Sequence, residues 1–387
     1  MAKTAKKHTK MEMWFDRYTF KLNLLVALGL LATYAAPVLN PNFFWPVALL
    51  GLAYPIMLLL NALFTLYWIS RKKIKSLLSI IAILVGWPTL SHTIAFNPVA
   101  LPDTVITEKI KVMTYNVRNF DLYNWTGNIE SRNKMLGLIK MANPDIICFQ
   151  EFYTQDDDKF NNLKALEELG FTHQHFEKTL TVKEKNHFGL AIVSKYPIAK
   201  GGKINLSSTS NKIVAYADVD LKGQKTRIFN AHLQSIHLGK QDLQYVKSLG
   251  DGKKDEEVSK DHVRSLKSIV KKLRDGYIKR GKQADILAAH IAESPYPVIV
   301  CGDFNDTPAS YVYHTISKDL QDTFLAAAFG LGVTYAGPIP ALRIDYVLGG
   351  DAFNVHDFDI FKAVYSDHYP VQTVLSFKAP QVVVLPQ

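Results

Sequence analysis

The stretch Val298-Ile299-Val300-Cys301-Gly302-Asp303-Phe304-Asn305-Asp306 decides how the rest of the chain is read. Its β-branched, apolar start predicts a short buried strand over residues 297–301. A glycine, two carboxylates and an amide then follow where that strand ends. In layered α/β folds, ligand sites collect beyond strand ends. The pattern recurs along the chain. Asn116 follows Val112-Met113-Thr114-Tyr115, Glu151 follows Ile146-Ile147-Cys148-Phe149-Gln150, and His232 follows Phe229-Asn230-Ala231. Asp345 lies within Arg343-Ile344-Asp345-Tyr346, and Asp367 and His368 lie within Ser366-Asp367-His368-Tyr369-Pro370.

Further short runs rich in Val, Ile, Tyr and Phe predict strands over 109–115, 144–149, 188–194, 215–221, 225–231, 343–348 and 370–377. Helices are expected over 130–141 and 161–169, and a longer helical pattern fills 260–291. In that last segment Val263, Leu266, Val270, Leu273 and Tyr277 recur at spacings of three and four, which predicts the buried face. Arg264, Lys267, Lys271, Lys272 and Arg274 fall on the other face, which reads as solvated. Residues 249–258 are charged and contain glycine, so they read as a loop. No internal repeat is evident.

The side chains gathered at the strand ends share a chemistry. Carboxylates and amides without cysteine are hard oxygen donors, suited to Mg²⁺, Mn²⁺ or Ca²⁺ rather than zinc. Two histidines among them suit proton handling or contact with a phosphate anion. The chain has neither a Walker-type glycine loop nor a G-x-S-x-G elbow. Each residue also has a plainer explanation. Asp345 can serve as a structural partner of Arg343, Asn116 can cap a turn, and Asp303 to Asp306 can form one. Arg118, His187 and His237 adjoin the motifs and are candidate substrate contacts. Cys148 and Cys301 lie in apolar strands, where core packing is the default. Pairing between them is left open.

The ordered motifs carry a resemblance. They are Thr114-Tyr115-Asn116, Gln150-Glu151, Gly189 to Lys195, Asn230-Ala231-His232-Leu233, Gly302-Asp303-Phe304-Asn305-Asp306, Arg343-Ile344-Asp345-Tyr346 and Ser366-Asp367-His368-Tyr369-Pro370. Together they resemble the endonuclease/exonuclease/phosphatase (DNase-I-like) superfamily over about residues 108–377. The resemblance implies an α/β fold, a four-layer sandwich of two mixed β-sheets with helices outside. It also implies divalent-metal-dependent hydrolysis of a phosphate ester. Glu151 would be the principal metal ligand, with Asn116 and Asp367 on the metal side. Asp303 would orient and deprotonate the attacking water. Asp345 and His368 would form a carboxylate–histidine pair. His232 and Asn305 would stabilise charge on the phosphoryl group.

The N-terminal quarter has another character. The chain has 387 residues, 48% hydrophobic and 21% charged, with two cysteines and a net charge of +10. This composition excludes a disordered chain and a disulfide scaffold. Residues 1–104 hold ten basic against three acidic residues, +7 of the total; the remaining 283 hold 35 against 32, or +3. The basic surplus therefore flanks apolar segments and is weak evidence for nucleic-acid binding. The 49 residues between Lys21 and Arg71 carry no charge. They predict two transmembrane helices near 22–36 and 43–69, broken at Pro37 to Asn42, and a third near 77–97. Lys/Arg bias places the N-terminus and Arg71–Lys75 inside, so residue 105 onward would lie outside the cytoplasmic membrane. Trp14, Tyr18, Tyr67 and Trp68 fall where an aromatic belt would. A cleaved signal peptide and buried soluble helices are the competing readings of these apolar runs.

The expected organisation is thus a membrane region at 1–104, a catalytic domain at 105–378 and a tail at 379–387. The expected partners are the lipid bilayer and a phosphate ester: a lipid headgroup, a nucleic acid or a small phosphodiester. A nuclease is the alternative activity. An inactive membrane-bound binding module is disfavoured, because Glu151, Asp303 and His368 are all present.

Overall fold

The computed structural model describes residues 10–97, 109–157, 160–207, 212–236, 260–337, 339 and 341–379, without the side chains of 260–264. The expected domain boundary at 104/105, the loop at 249–258, His237 and all but the first residue of the tail lie outside the described residues. The chain divides into two compact units. One runs to Thr93 and takes in Ala309–Tyr311, and the other holds Ile94–Pro308 and the chain from Val312.

The first unit contains helices α1 (Lys10–Thr33), α2 (Pro46–Ser70), α3 (Ser76–Val85) and α4 (Trp87–Thr93). Among the described residues only α2 is long and apolar enough to cross a membrane, with mean hydropathy 2.1. The pair α3 and α4 adds one more if a helix bent by 71° counts as a span. The expectation of three spans is therefore corrected. Helix α1 holds Glu12, Asp16, Arg17 and Lys21 and stops at Thr33. Its uncharged part is about 18 Å long at 1.5 Å per residue, short of the ~30 Å hydrocarbon layer. The third expected span is broken at Gly86, just before Pro88, which has no N–H to donate to a helix ladder. Gly86 also lies against Tyr34, where a Cβ would fall 1.9 Å from the ring. Polar contacts join these helices: Ser79 Oγ donates to Asn23 Oδ1 at 2.7 Å, and Asn61 Nδ2 to the Val26 carbonyl at 3.2 Å. Trp68 is buried beneath Lys75, whose Nζ lies 4.8 Å from the ring, so it is no belt residue. Trp14 and Tyr18 are exposed.

The second unit is built from β1 (Ala95–Phe96), β2 (Ile110–Asn116), α5 (Ser131–Ala142), β3 (Ile146–Gln155), α6 (Asn162–Glu168), β4 (His173–Val182), β5 (Asn186–Ser194), β6 (Ile198–Asn205), β7 (Ile213–Leu221), β8 (Gln224–His232), α7 (Lys260–Ala292), β9 (Val298–Asp303), α8 (Tyr311–Ile316), β10 (Gln321–Asp322), α9 (Thr323–Ala327), β11 (Phe329–Gly330), β12 (Asp345–Gly349), β13 (Phe353–Ile360) and β14 (Val371–Phe377). Two six-stranded sheets result, ordered β10-β12-β9-β8-β7-β6 and β13-β14-β2-β3-β5-β4. Each is mixed: β8 and β9 pair in parallel in one, β2 and β3 in the other. Val112, Cys148 and Ile192 of one sheet share a core with Ala215, Ile299 and Cys301 of the other. Outside the first sheet, Ala284 and Leu287 of α7 pack on Phe229 and Val300. Outside the second, Met135 and Ile139 of α5 and Leu166 of α6 pack on Tyr115 and Phe149. The expected layering of helices over two mixed sheets is present.

Strands β4, β6 and β13 escape the sequence reading, and all three are sheet edges. An edge strand keeps one side in water and carries polar residues that blur its period. The face of α7 is rotated from the expected one. Ile269, Tyr277, Arg280, Gln283, Ala284 and Leu287 are buried, while Leu266 and Val270 are exposed.

Candidate active site

Strand register brings the singled-out side chains together. In the first sheet, His232 pairs with Asp303 across β8 and β9, and Asp345 pairs with Asp303 across β12 and β9. In the second sheet, Asn116 pairs with Gln150, one residue before Glu151. Glu151 lies where the β3–β5 register shifts, in a bulge between Phe149 and Phe152, and its φ is +49°. A bulge turns a side chain out of the strand's alternation, and left-handed backbone at a non-glycine residue is a strain held by its surroundings. Asn305 leaves β9 with φ +54°.

The two sheets are fastened directly below this edge. Gln150 Nε2 donates to Asn230 Oδ1 at 2.7 Å, and Asn230 Nδ2 donates back to the Phe149 and Ala191 carbonyls at 2.9 and 3.0 Å. Above the clasp, Asn116 Nδ2 donates to Asp303 Oδ2 at 3.1 Å, again from one sheet to the other. The Asn305 backbone N–H donates to Asp303 Oδ1 at 2.8 Å, so both oxygens of this buried carboxylate are engaged.

His368 completes a chain of three groups. Its Nδ1 faces both oxygens of Asp345 at 2.9 and 3.1 Å. A carboxylate only accepts, so Nδ1 carries the proton. Its Nε2 stands 3.7 Å from Asp303 Oδ2. The Thr334 hydroxyl accepts from the N–H of Asp345 at 3.1 Å, and the Tyr335 ring meets the His368 ring edge-on at 5.3 Å. Burial would strip His368 of its charge, but Asp345 and Asp303 outweigh it and push the imidazole up to about 10. Burial pushes the Asp303 carboxyl up to about 7; the His368 charge opposes this and Asp345 adds to it. A protonated histidine between two buried carboxylates is the result.

The site opens into a cleft of about 550 Å³ lined by Glu151, Lys212, His232, Asn119, Gln234 and an apolar wall including Phe188 and Leu190. His232 Nε2 lies 3.8 Å from both Glu151 Oε1 and Asp303 Oδ2. Among the described residues, Asp303, Asp345 and His368 form the cluster whose ligand-type atoms all lie within 4.8 Å of one another. Asp345 is already committed to Nδ1, which leaves Glu151, lining the cleft, and the buried Asp303 as the remaining carboxylate donors. These buried and half-buried oxygens fit a hard divalent cation.

The other expected residues are placed as follows. Asp367 lies outside the cluster, with Oδ2 3.5 Å from Arg118 Nε. Arg118 is stacked over Trp125 at 4.5 Å, and its backbone N–H donates to Asn116 Oδ1 at 3.1 Å. His187 is turned away from the cleft. Its Nε2 meets Asp156 at 3.1 Å and its Nδ1 meets Thr181 at 3.2 Å, in a separate cavity. Arg343 is not the partner of Asp345; it forms a buried pair with Asp322 at 2.5 Å. Cys148 and Cys301 are free and buried between the sheets.

Sequence reading missed Lys212, Ser366 and the Gln150–Asn230 clasp. Ser366 Oγ donates to the Asn116 carbonyl at 2.8 Å and ties the last motif to the first. Gln150 and Asn230 stood in quoted motifs, but only the packing of the two sheets reveals that they meet. Lys212 had no signal beyond being a lysine before a strand. Burial pulls its ammonium down, opposed by the charges of Glu151 and Asp303.

No curated protein matches the sequence. A domain of unknown function (DUF8431) matches residues 16–93. Among solved structures, the second unit is similar to an endonuclease/exonuclease/phosphatase from Beutenbergia cavernae (18% identity, 70% of this chain and 72% of that one, TM-score 0.49). It is also similar to one from Bacteroides vulgatus (19%, 70% and 100%, 0.49) and to a mannosyl-6-phosphatase from Bacteroides thetaiotaomicron (18%, 69% and 100%, 0.46). The model of the Endonuclease/Exonuclease/phosphatase family matches residues 113–368, and the chain belongs to that family of phosphoester hydrolases.

Proposed function

We propose that this protein is a membrane-anchored, divalent-metal-dependent phosphoesterase. The observation that carries the reading is the buried row Asp345–His368–Asp303, held against Asn116 and linked to the cleft-lining Glu151 through His232, whose Nε2 lies 3.8 Å from both Asp303 and Glu151. Glu151 would hold the cation, with Asn116 orienting Asp303 beside it. Such a cation, Mg²⁺ or Mn²⁺, screens phosphoryl charge when bound. Asp345 fixes the orientation of the His368 ring. Asp303, linked to His368, takes a proton from the attacking water. His232 and the Asn305 amide donate toward the phosphoryl oxygens as charge builds. Asp367 acts from behind, by holding Arg118.

Anchoring rests on α2, with the basic Arg71 to Lys75 at its cytoplasmic end and α1, which does not span, on the opposite side from the one expected. Crossing by the bent α3–α4 pair would deliver the catalytic unit to the outer face. A tethered site meets membrane lipid at high effective concentration, which favours a phospholipid-type ester over nucleic acid. The near-neutral charge of residues 105–387 adds nothing toward DNA.

The test offers full-length protein in detergent, with Mg²⁺ or Mn²⁺, a chromogenic aryl phosphodiester, sphingomyelin, phosphoinositides, RNA and plasmid DNA. Asp303→Asn is run beside it. Turnover by wild type but not by the variant is expected, and equal turnover ends the assignment. A phosphatase-type topology reporter fused after residue 104 should be active; an inactive one places the catalytic unit inside.

A further inference from the structure

Three observations converge on Lys212, which stands just before β7. It lines the same cleft as Glu151 and His232. Its Nζ reaches the Leu233 carbonyl at 3.5 Å, and that carbonyl also accepts from Asn305 Nδ2 at 3.3 Å. The two donors therefore stand side by side. Its charge acts on both Glu151 and Asp303. Arg118, two residues beyond Asn116, is held by Asp367 and Trp125. A phosphate anion entering the cleft meets the charge of Glu151 on its wall and that of Asp303 buried behind it, and an ammonium on the wall offsets that repulsion.

We propose that Lys212 is a substrate-binding residue whose ammonium takes an anionic oxygen of the phosphoryl group beside the Asn305 amide. The long, half-buried stem lets the ammonium move from the Leu233 carbonyl to the ester. This rests on the phosphoesterase reading and names its phosphate anchor. The ammonium competes with a divalent cation for the same carboxylates. Its removal should therefore weaken phosphate binding without weakening cation binding, whereas loss of a mere structural brace would weaken both.

The experiment uses full-length wild type, Lys212→Met and Lys212→Arg. Titration calorimetry measures inorganic phosphate in the presence of Mg²⁺, and Mg²⁺ alone. Hydrolysis of an aryl phosphodiester is measured in parallel. Lys212→Met should weaken phosphate on the order of 10- to 100-fold, as expected for a lost charge-assisted hydrogen bond, and raise KM by the same factor. Mg²⁺ affinity should hold or rise, kcat should move by less than about threefold, and Lys212→Arg should restore most of the phosphate affinity. Should Lys212→Met misfold by circular dichroism, Lys212→Gln takes its place. Unchanged phosphate affinity in a folded variant overturns the proposal, as does a parallel loss of Mg²⁺. A wild type that binds phosphate but cleaves no ester sinks the phosphoesterase reading instead, and the binding comparison still judges Lys212.

Discussion

His368 is useful only while Asp345 holds it. With Nδ1 bound to that carboxylate, the ring presents Nε2 to Asp303 and cannot rotate away. Asp345→Asn should drop kcat by about 10²–10⁴ with little change in KM, measured on an aryl phosphodiester with saturating Mg²⁺. Because the two residues act as one device, the double variant with His368→Ala should be no worse than the poorer single one. Multiplying losses would show that they act apart. A second buried pair tests stability rather than chemistry. Arg343 lies among Phe324, Tyr313 and Tyr346 and is neutralised by Asp322. Asp322→Ala leaves that guanidinium buried and unpaired, and should cost about 3–5 kcal/mol in a denaturant titration. Sequence proximity suggested Asp345 as its partner. The actual one is 21 residues upstream on β10, a strand of two residues with no readable period.

The parallel pair β8 and β9 carries His232 and Asp303 side by side, and its closeness at the end depends on Gly302. There φ is +143°, and a Cβ would fall 2.0 Å from the Ala231 carbonyl oxygen. Gly302→Ala should force the strands apart where the site sits. A stability loss of at least ~2 kcal/mol is expected, with activity falling further than the unfolded fraction explains. Normal activity in a fully folded Gly302→Ala protein would show that the edge tolerates spreading. The elements legible in the sequence are those buried on both faces, such as β2, β3, β8 and β9. Their apolar runs end abruptly at the polar residues that form the site. What stayed hidden depends on partners far along the chain. The edge strands β4, β6 and β13 show no clean alternation. Helix α7 turns its basic Arg280 inward because Asp306 awaits it at 3.0 Å. Lys212 gains a role only because β7 and β8 bring it beside Leu233.

At the scale of the whole molecule, two sheets meet at an edge that concentrates negative charge. Glu151, Asp303 and Asp345 lie there with His368 and Lys212 as the balancing groups and His232 beside them. Folding brings these carboxylates together, whereas the unfolded chain disperses them. A divalent cation that binds the folded site alone must therefore stabilise the fold, by about 2.7 kcal/mol at a hundred times its Kd. Saturating Mg²⁺ or Mn²⁺ should raise the melting temperature of the second unit by several degrees, and a chelator should reverse the rise and abolish turnover together. Glu151→Gln should lose most of the shift. Replacing Asn230 with Ala should instead lower melting with or without the ion, since it opens the clasp beneath the site and strips the Phe149 and Ala191 carbonyls of their donor. If the chelator leaves both melting and turnover unchanged, the acidic edge serves the fold without a cation. The water would then have to give its proton to Asp303 without a cation to help.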